Sequence, residues 1–229
     1  MLISPPVIRA ALFDFGGVIL TSPFEAFARY ERERNLADGF LRRLNSTRPD
    51  DNAWAQLERG DVPFDAFCRL YEGEARAAGG EVDAREVMAL LAGDVRPAMV
   101  EAVRRCRERL KTACLTNNWV PADDRGTSAP GERSDMAGPH GRLLANLFDV
   151  VVESSKVGVR KPDPRFYELA CEQLEIEPGE AVFLDDIGGN LKPARAMGMT
   201  TIKVDDPDAA IAELESVVGF PLRSPDVSR

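Results

Sequence analysis

At 229 residues and 44% hydrophobic content, the chain is long enough for one large domain, or for one domain carrying a smaller insertion. A formal net charge of −9 argues against nucleic acid and anionic membrane surfaces as partners, so an anionic ligand would need a few local cations or a metal. No apolar run approaches the roughly 20 residues of a membrane span, and the opening MLISPPVIRA lacks the basic and apolar stretches of a secretion signal.

The first element is the apolar run IRAALF (8–13), which predicts a buried strand ending at a carboxylate, Asp14, in the string DFGG. Residues 21–95 read as helical throughout. Apolar positions fall at helical spacing in FEAFARYERERNL, DGFLRRLN, WAQLERG, FDAFCRLYEGEARAAG and AREVMALLAG, with breaks at NSTRPDDN and GDVP. This predicts a small helical bundle inserted after the first strand, able to cover the sheet edge. Its aromatic residues Phe24, Phe27, Tyr30, Trp54, Phe64, Phe67 and Tyr71 are expected mostly in the bundle's own core, and the charges of RYERERN on a solvated face. A helix at 97–110 and a strand at 112–116 (TACLT) come next, followed by a Gly-, Pro-, Ser- and Asp-rich stretch over 120–141 that is expected to be a mobile loop. Strands at 150–153 (VVVE), 181–184 (AVFL) and 200–204 (TTIKV) complete the series, with helices at 163–174 and 207–217. The helices at 97, 163 and 207 each open with Pro, or with Asp followed by Pro, in the first turn, a common start signal. Short strands alternating with helices predict an α/β fold, a doubly wound parallel sheet with a Rossmann-like core. Residues 1–20 and 96–229 form that core, and 21–95 is the inserted α-helical cap.

Four scattered cysteines (Cys68, Cys106, Cys114, Cys171) form no C-x-x-C pair, and the single histidine, His140, lies in MAGPHGR and reads as a loop residue. Neither a disulfide framework nor a zinc site is expected, and a cytoplasmic location is. Any catalysis therefore runs on carboxylates and a metal.

The polar residues fall where the strands end. Asp14 follows the first strand, Thr116 ends the second in CLTNNW, Lys161 lies past the third in SSKVGVRKPDP, and Asp185 and Asp186 end the AVFL strand. Ligands of open parallel sheets bind in the crevice outside the carboxyl ends of the strands. Four segments thus aim an acid, a hydroxyl, an ammonium and an acid pair at one place. Each has a plainer structural reading: Asp14 as a turn residue of DFGG, one of Asp185 and Asp186 as a helix cap, Thr116 as an ordinary strand end, Lys161 as a surface lysine. Arg160 reads as the exposed cation of its pair. The chemistry of the four together is coherent. A carboxylate approaching a phosphate dianion to about 4 Å at an effective dielectric near 20 faces roughly 8 kcal/mol of repulsion. A divalent cation held by Asp14 and the Asp185–Asp186 pair would offset it, and hard oxygen ligands suit Mg²⁺. The Thr116 hydroxyl and the Asn117 backbone N–H can donate to phosphoryl oxygens, and Lys161 adds a point charge.

The strings FDFGGVIL, LTNNW, KVGVRKPDPRFY and AVFLDDIGGNLKPARAMGMTTI resemble the haloacid dehalogenase-like hydrolases, and among them the N-terminal phosphatase domain of soluble epoxide hydrolases and its bacterial relatives. The resemblance covers essentially the whole chain and is densest over 147–205. It implies a hydrolase, specifically a Mg²⁺-dependent phosphatase acting on a small phosphorylated metabolite or lipid. By position, Asp14 would be the nucleophile that is transiently phosphorylated, Thr116 and Asn117 would bind the phosphoryl group, and Lys161 would stabilise it. Asp186 would be a direct metal ligand, Asp185 would support the metal, Gly16 would offer its carbonyl, and Asn190 matches a polar position beside the substrate. The chain ends about where a fused epoxide hydrolase domain would begin, so that second activity is expected to be absent.

One residue departs from the pattern. Family phosphatases usually carry a second Asp two residues after the nucleophile, and here that position is Gly16. General acid–base catalysis of typically about 10²–10⁴-fold is lost with it. Three readings follow: a phosphatase restricted to good leaving groups or drawing its acid from elsewhere, a different reaction such as halide displacement, or a catalytically silent module that binds metal and phosphate. Retention of Asp185, Asp186 and Thr116 speaks against a dehalogenase. A Schiff-base route through a cap lysine is disfavoured because residues 21–95 contain no lysine.

Overall fold

The structure, a computed structural model, describes residues 7–119 and 141–223. The 120–141 loop expectation, Gly141 apart, and His140 lie outside the described residues. Strand β1 (Ala10–Phe13) runs into a tight turn at Phe15–Ile19. Five helices follow: α1 (Phe24–Glu33), α2 (Phe40–Ser46), α3 (Ala53–Glu58), α4 (Phe64–Ala77) and α5 (Ala84–Ala89). Then come α6 (Pro97–Arg107), β2 (Lys111–Thr116), α7 (Gly141–Leu147), β3 (Val150–Glu153), the short α8 (Ser154–Val157) and α9 (Pro164–Leu174). The chain continues through β4 (Ala181–Asp185), α10 (Gly188–Ala196), β5 (Thr200–Lys203) and α11 (Pro207–Val218).

The five strands form one parallel sheet in the order β3-β2-β1-β4-β5. Their continuous apolar runs are explained by helices on both faces. Met99, Val103 and Cys106 of α6 and Ile211 and Leu214 of α11 pack on Ala11, Phe13, Cys114 and Leu184. Phe166, Tyr167 and Ala170 of α9 and Leu191 of α10 pack on Leu12, Ala113, Leu115 and Phe183 of the opposite face. The helix starts follow local chemistry: Pro164 and Pro207 sit in first turns, where a missing N–H costs nothing, and Asp163 and Asp206 accept from the backbone N–H of Arg165 and Ala209.

Helices α1 to α5 bury a separate apolar cluster that includes Phe27, Tyr30, Leu41, Leu57, Phe67, Tyr71 and Val87. The chain leaves the sheet and returns to it side by side, through an antiparallel bridge between Leu20 and Val95 and a 2.9 Å bond from Thr21 N–H to Asp94 O. Two expectations for this region are corrected. Phe24 is 37% exposed, with the Arg42 guanidinium 5.2 Å from its ring, and is no part of the core. Glu31 of RYERERN is buried: its carboxylate accepts from the N–H of Gly39 and of Leu41, both at 2.8 Å, supplying the first turn of α2 with the cap that Gly39 has no side chain to give.

Candidate active site

Register brings the predicted residues level. Phe13 lies opposite Cys114 of β2 and Leu184 of β4, so Asp14, Thr116, Asp185 and Asp186 all emerge at the carboxyl edge of three adjacent strands. From β1 and β4 the sheet order runs off in opposite directions, the switch point at which such sheets open a crevice. Asp14 is anchored there by its own N–H, which donates to Leu184 O at 2.9 Å.

Lys161 arrives from the loop before α9 and is only 1% exposed. Its Nζ lies 2.7 Å from Asp14 Oδ1 and 2.8 Å from Asp185 Oδ2. Phe15 N–H donates to the same Asp14 Oδ1 at 2.7 Å, leaving Oδ2 without a hydrogen bond among the described residues. Asp186 is held by the Ser22 hydroxyl at 3.4 Å. Carboxylate oxygens of Asp14, Asp185 and Asp186 lie within 4.8 Å of one another. Three acids against one ammonium leave the pocket with two surplus negative charges when all are ionised. Burial pushes the Asp14 carboxyl well above its usual range, against the pull of Lys161 and with the help of Asp185 and Asp186. Burial and Asp185 likewise push Asp186 up to about 6. Burial alone would lower the Lys161 ammonium, but Asp14 and Asp185 hold it above the ordinary lysine range, so it stays charged.

The two glycines after Asp14 differ. Gly17 has φ +78°, and a methyl built there would overlap the Asp186 carboxylate. Only glycine lets the turn close onto Asp186. Gly16 has φ −69° and ψ 131°, a conformation any residue adopts, and a methyl there meets nothing within 4 Å. The turn therefore holds open space where a second carboxylate would stand.

Three side chains have partners that the sequence did not indicate. The Asn190 amide engages Asp185: its Nδ2 donates to both carboxylate oxygens at 3.0 Å, and Ile187 N–H adds a 2.8 Å bond. The Asn117 side chain is likewise committed elsewhere. Its Oδ1 accepts from Lys161 N–H at 2.9 Å and its Nδ2 donates to Lys161 O at 3.0 Å, leaving its backbone N–H as the group that can meet a ligand. Arg160 is not an exposed cation: its side chain is 17% exposed, its Nε lies 2.6 Å from Glu58, and its Nη1 donates to Pro49 O at 2.9 Å. Sequence reading missed Glu58, Glu153 and Asn118 altogether. Asn118 donates from Nδ2 to Glu153 at 2.9 Å, while its Oδ1 accepts from the Ser155 hydroxyl at 2.8 Å, pinning the loop after β2 onto the end of β3. The signal was an unused polar string, NN followed 35 residues later by ESS, but nothing local to either segment says that they meet.

A family model of the haloacid dehalogenase-like hydrolases matches residues 8–198. The chain belongs to the haloacid dehalogenase-like hydrolases. It is 34% identical to bifunctional epoxide hydrolase 2 of Sus scrofa over 230 residues, 94% of this chain and 40% of that one, so it spans about two-fifths of that relative's length. It is 29% identical to a sesquiterpene phosphatase of Aspergillus oryzae, covering 92% of this chain and 97% of the other. Among solved structures, a haloacid dehalogenase-family enzyme of Bacteroides thetaiotaomicron in complex with magnesium and inorganic phosphate shares the fold, with a TM-score of 0.52, 20% identity, and 86% and 93% of the two chains covered. With phosphatases among its relatives, this member of the haloacid dehalogenase-like family is a hydrolase. No described helix is long and apolar enough to cross a membrane.

Proposed function

We propose that this hydrolase is a Mg²⁺-dependent phosphatase acting through an aspartyl-phosphate at Asp14 on a small phosphorylated metabolite or lipid, with 21–95 as a cap over the core. The observation that supports this most is the charge of the pocket: buried Asp14 and Asp185, both paired with Lys161, and half-buried Asp186 leave a surplus of two negative charges when all are ionised, which one divalent cation would cancel. Their donor set is all oxygen, as Mg²⁺ prefers, and one oxygen of each acid lies within 4.8 Å of the others. Asp14, Asp185, Asp186 and the Gly16 carbonyl would hold it, and when bound the ion lowers the repulsion between Asp14 and the phosphate dianion.

The residues of the chain would do the rest. Asp14 Oδ2 attacks phosphorus, the P–O bond to the leaving group breaks, and the leaving oxygen departs with the electron pair. The Thr116 hydroxyl, the Asn117 N–H and the Lys161 ammonium receive the phosphoryl oxygens. Water then releases phosphate and frees Asp14. Because Gly16 supplies no proton to the leaving group and no base to that water, acyl and aryl phosphates react well and simple alkyl phosphates slowly. The sesquiterpene phosphatase among the relatives makes hydrophobic phosphate esters further candidates. Intact-mass measurement after mixing with acetyl phosphate and Mg²⁺ tests the reading: a phosphoryl increment, absent with EDTA and absent in Asp14→Asn, is expected. No increment and no turnover, with phosphate-dependent thermal stabilisation retained, would favour a silent binding module, the reading that Gly16 also permits.

A further inference from the structure

The proposed mechanism uses Lys161, but the side chains that hold Lys161 come from elsewhere in the fold. The lysine's N–H and C=O are both clasped by the Asn117 amide, at 2.9 and 3.0 Å, a two-point grip that fixes the peptide carrying the ammonium. On its other side the chain neighbour Arg160 is ion-paired with Glu58, the last residue of α3, its Nε 2.6 Å from the carboxylate without hydrogen-bond geometry, and its Nη1 donates to Pro49 O from the loop before α3 at 2.9 Å. Glu58 is itself buried, and its second oxygen is shared with Asn117 Nδ2 at a weak 3.4 Å while Oε1 accepts from Trp54 Nε1 at 2.9 Å. The seam is tight as well: a methyl at Gly60, in the turn after α3, would lie 3.0 Å from Ser155 O of α8. An ion pair this poorly solvated is a doubtful source of stability, since desolvation offsets most of the attraction, and it persists best where it fixes one arrangement over others.

We propose that Glu58 and Arg160, with Asn117, are positioning residues for Lys161: seating α3 on the core locks Arg160 and Asn117, and thereby sets the ammonium against Asp14. The inference rests on the phosphatase reading, and it assigns to the helical insertion a part in the chemistry beyond covering the cleft. Glu58→Gln keeps an acceptor for Trp54 and removes the charge facing Arg160. Asn117→Ala removes the grip on the lysine peptide.

The test measures kcat and KM for an aryl phosphate with Mg²⁺ in Glu58→Gln, Arg160→Ala and Asn117→Ala, each also combined with Lys161→Met, thermal melting serving as the folding control. Small misplacements of a catalytic group cost up to about 100-fold. About a 10-fold fall in kcat is expected for Glu58→Gln and for Arg160→Ala, and a larger one for Asn117→Ala, with KM changing less than about 2-fold. On the Lys161→Met background each added change should cost less than about 2-fold, because its effect travels through the missing ammonium. Losses that multiply on that background, or a Glu58→Gln enzyme within 2-fold of wild type, would overturn the proposal. Should Lys161→Met fail to fold, Glu58→Gln combined with Asn117→Ala must lose less than the product of the single losses. If wild type turns over no phosphate ester, it is the phosphatase reading that has failed. The same cycles, read as the Kd of inorganic phosphate with Mg²⁺, then still decide whether these residues place Lys161.

Discussion

The carboxyl edge of the sheet and the inserted helices reach the same cleft by different means. At the sheet edge, position follows from backbone: once Phe13 pairs with Cys114 and Leu184, the residues one or two further on have nowhere else to go. In α1 to α5 nothing comparable exists. Their contact with the core near the site is made across long stretches of sequence, by Glu58 with the Arg160 side chain and by Arg160 with the Pro49 carbonyl. The difference teaches that chemistry is written into the strands and its adjustment into the seam.

The sharpest way to test that division is to remove the proposed nucleophile at the strand end. Asp14→Asn should lower turnover by more than about 1,000-fold and abolish the phosphoryl mass increment while leaving the fold intact. Next in size is a gain. Gly16→Asp should raise turnover of alkyl phosphates by about 100-fold or more; the backbone there is ordinary and the space is open, so any fall in the metal-free melting temperature comes from the added charge and is reversed by Mg²⁺. An inactive variant that melts normally would show that open space and backbone alone do not restore acid–base catalysis. The adjacent Gly17→Ala should do the opposite. Left-handed strain of about 1–3 kcal/mol, added to overlap with Asp186, should lower the melting temperature by about 3–10 °C and weaken stabilisation by Mg²⁺.

How far the sequence went is visible in these same residues. The sheet, its parallel order of elements and the convergence of Asp14, Thr116, Lys161, Asp185 and Asp186 were legible, because apolar runs ending in acids mark strand ends whatever lies between them. The partners of those residues were not. Asn117 and Asn190 carry the right chemistry to touch a ligand, and only the fold turns one onto the Lys161 peptide and the other onto Asp185. Arg160 read as solvent-facing because its counter-ion is 102 positions away in the chain (160 minus 58). Glu31, in a run of alternating charges, was hidden by its neighbours: pattern averages over a face, while one buried carboxylate serves two backbone donors.

Two smaller effects separate the regions further. Asp186→Asn removes one of the surplus charges and keeps an acceptor for Ser22, so the metal-free protein should melt about 2–4 °C higher than wild type and respond less to Mg²⁺, a trade of function against stability. Asp149, remote from the site, gives the smallest effect. Burial would raise its carboxyl, but Thr112 N–H, Arg107 and the Thr112 hydroxyl together hold it below the usual value of 3.8. Its contribution is therefore present above about pH 4 and is lost as pH falls through the lowered value. The melting difference between wild type and Asp149→Asn should accordingly shrink on acidification, whereas a difference that grows would reverse the sign.

The bridge between Leu20 and Val95 has a consequence for how such a protein diversifies. The outgoing and incoming segments touch at one doorway, and nothing between them contributes a rung to the sheet. On the proposed role of Glu58, a replacement insertion would need an acid in its place to keep Arg160 paired.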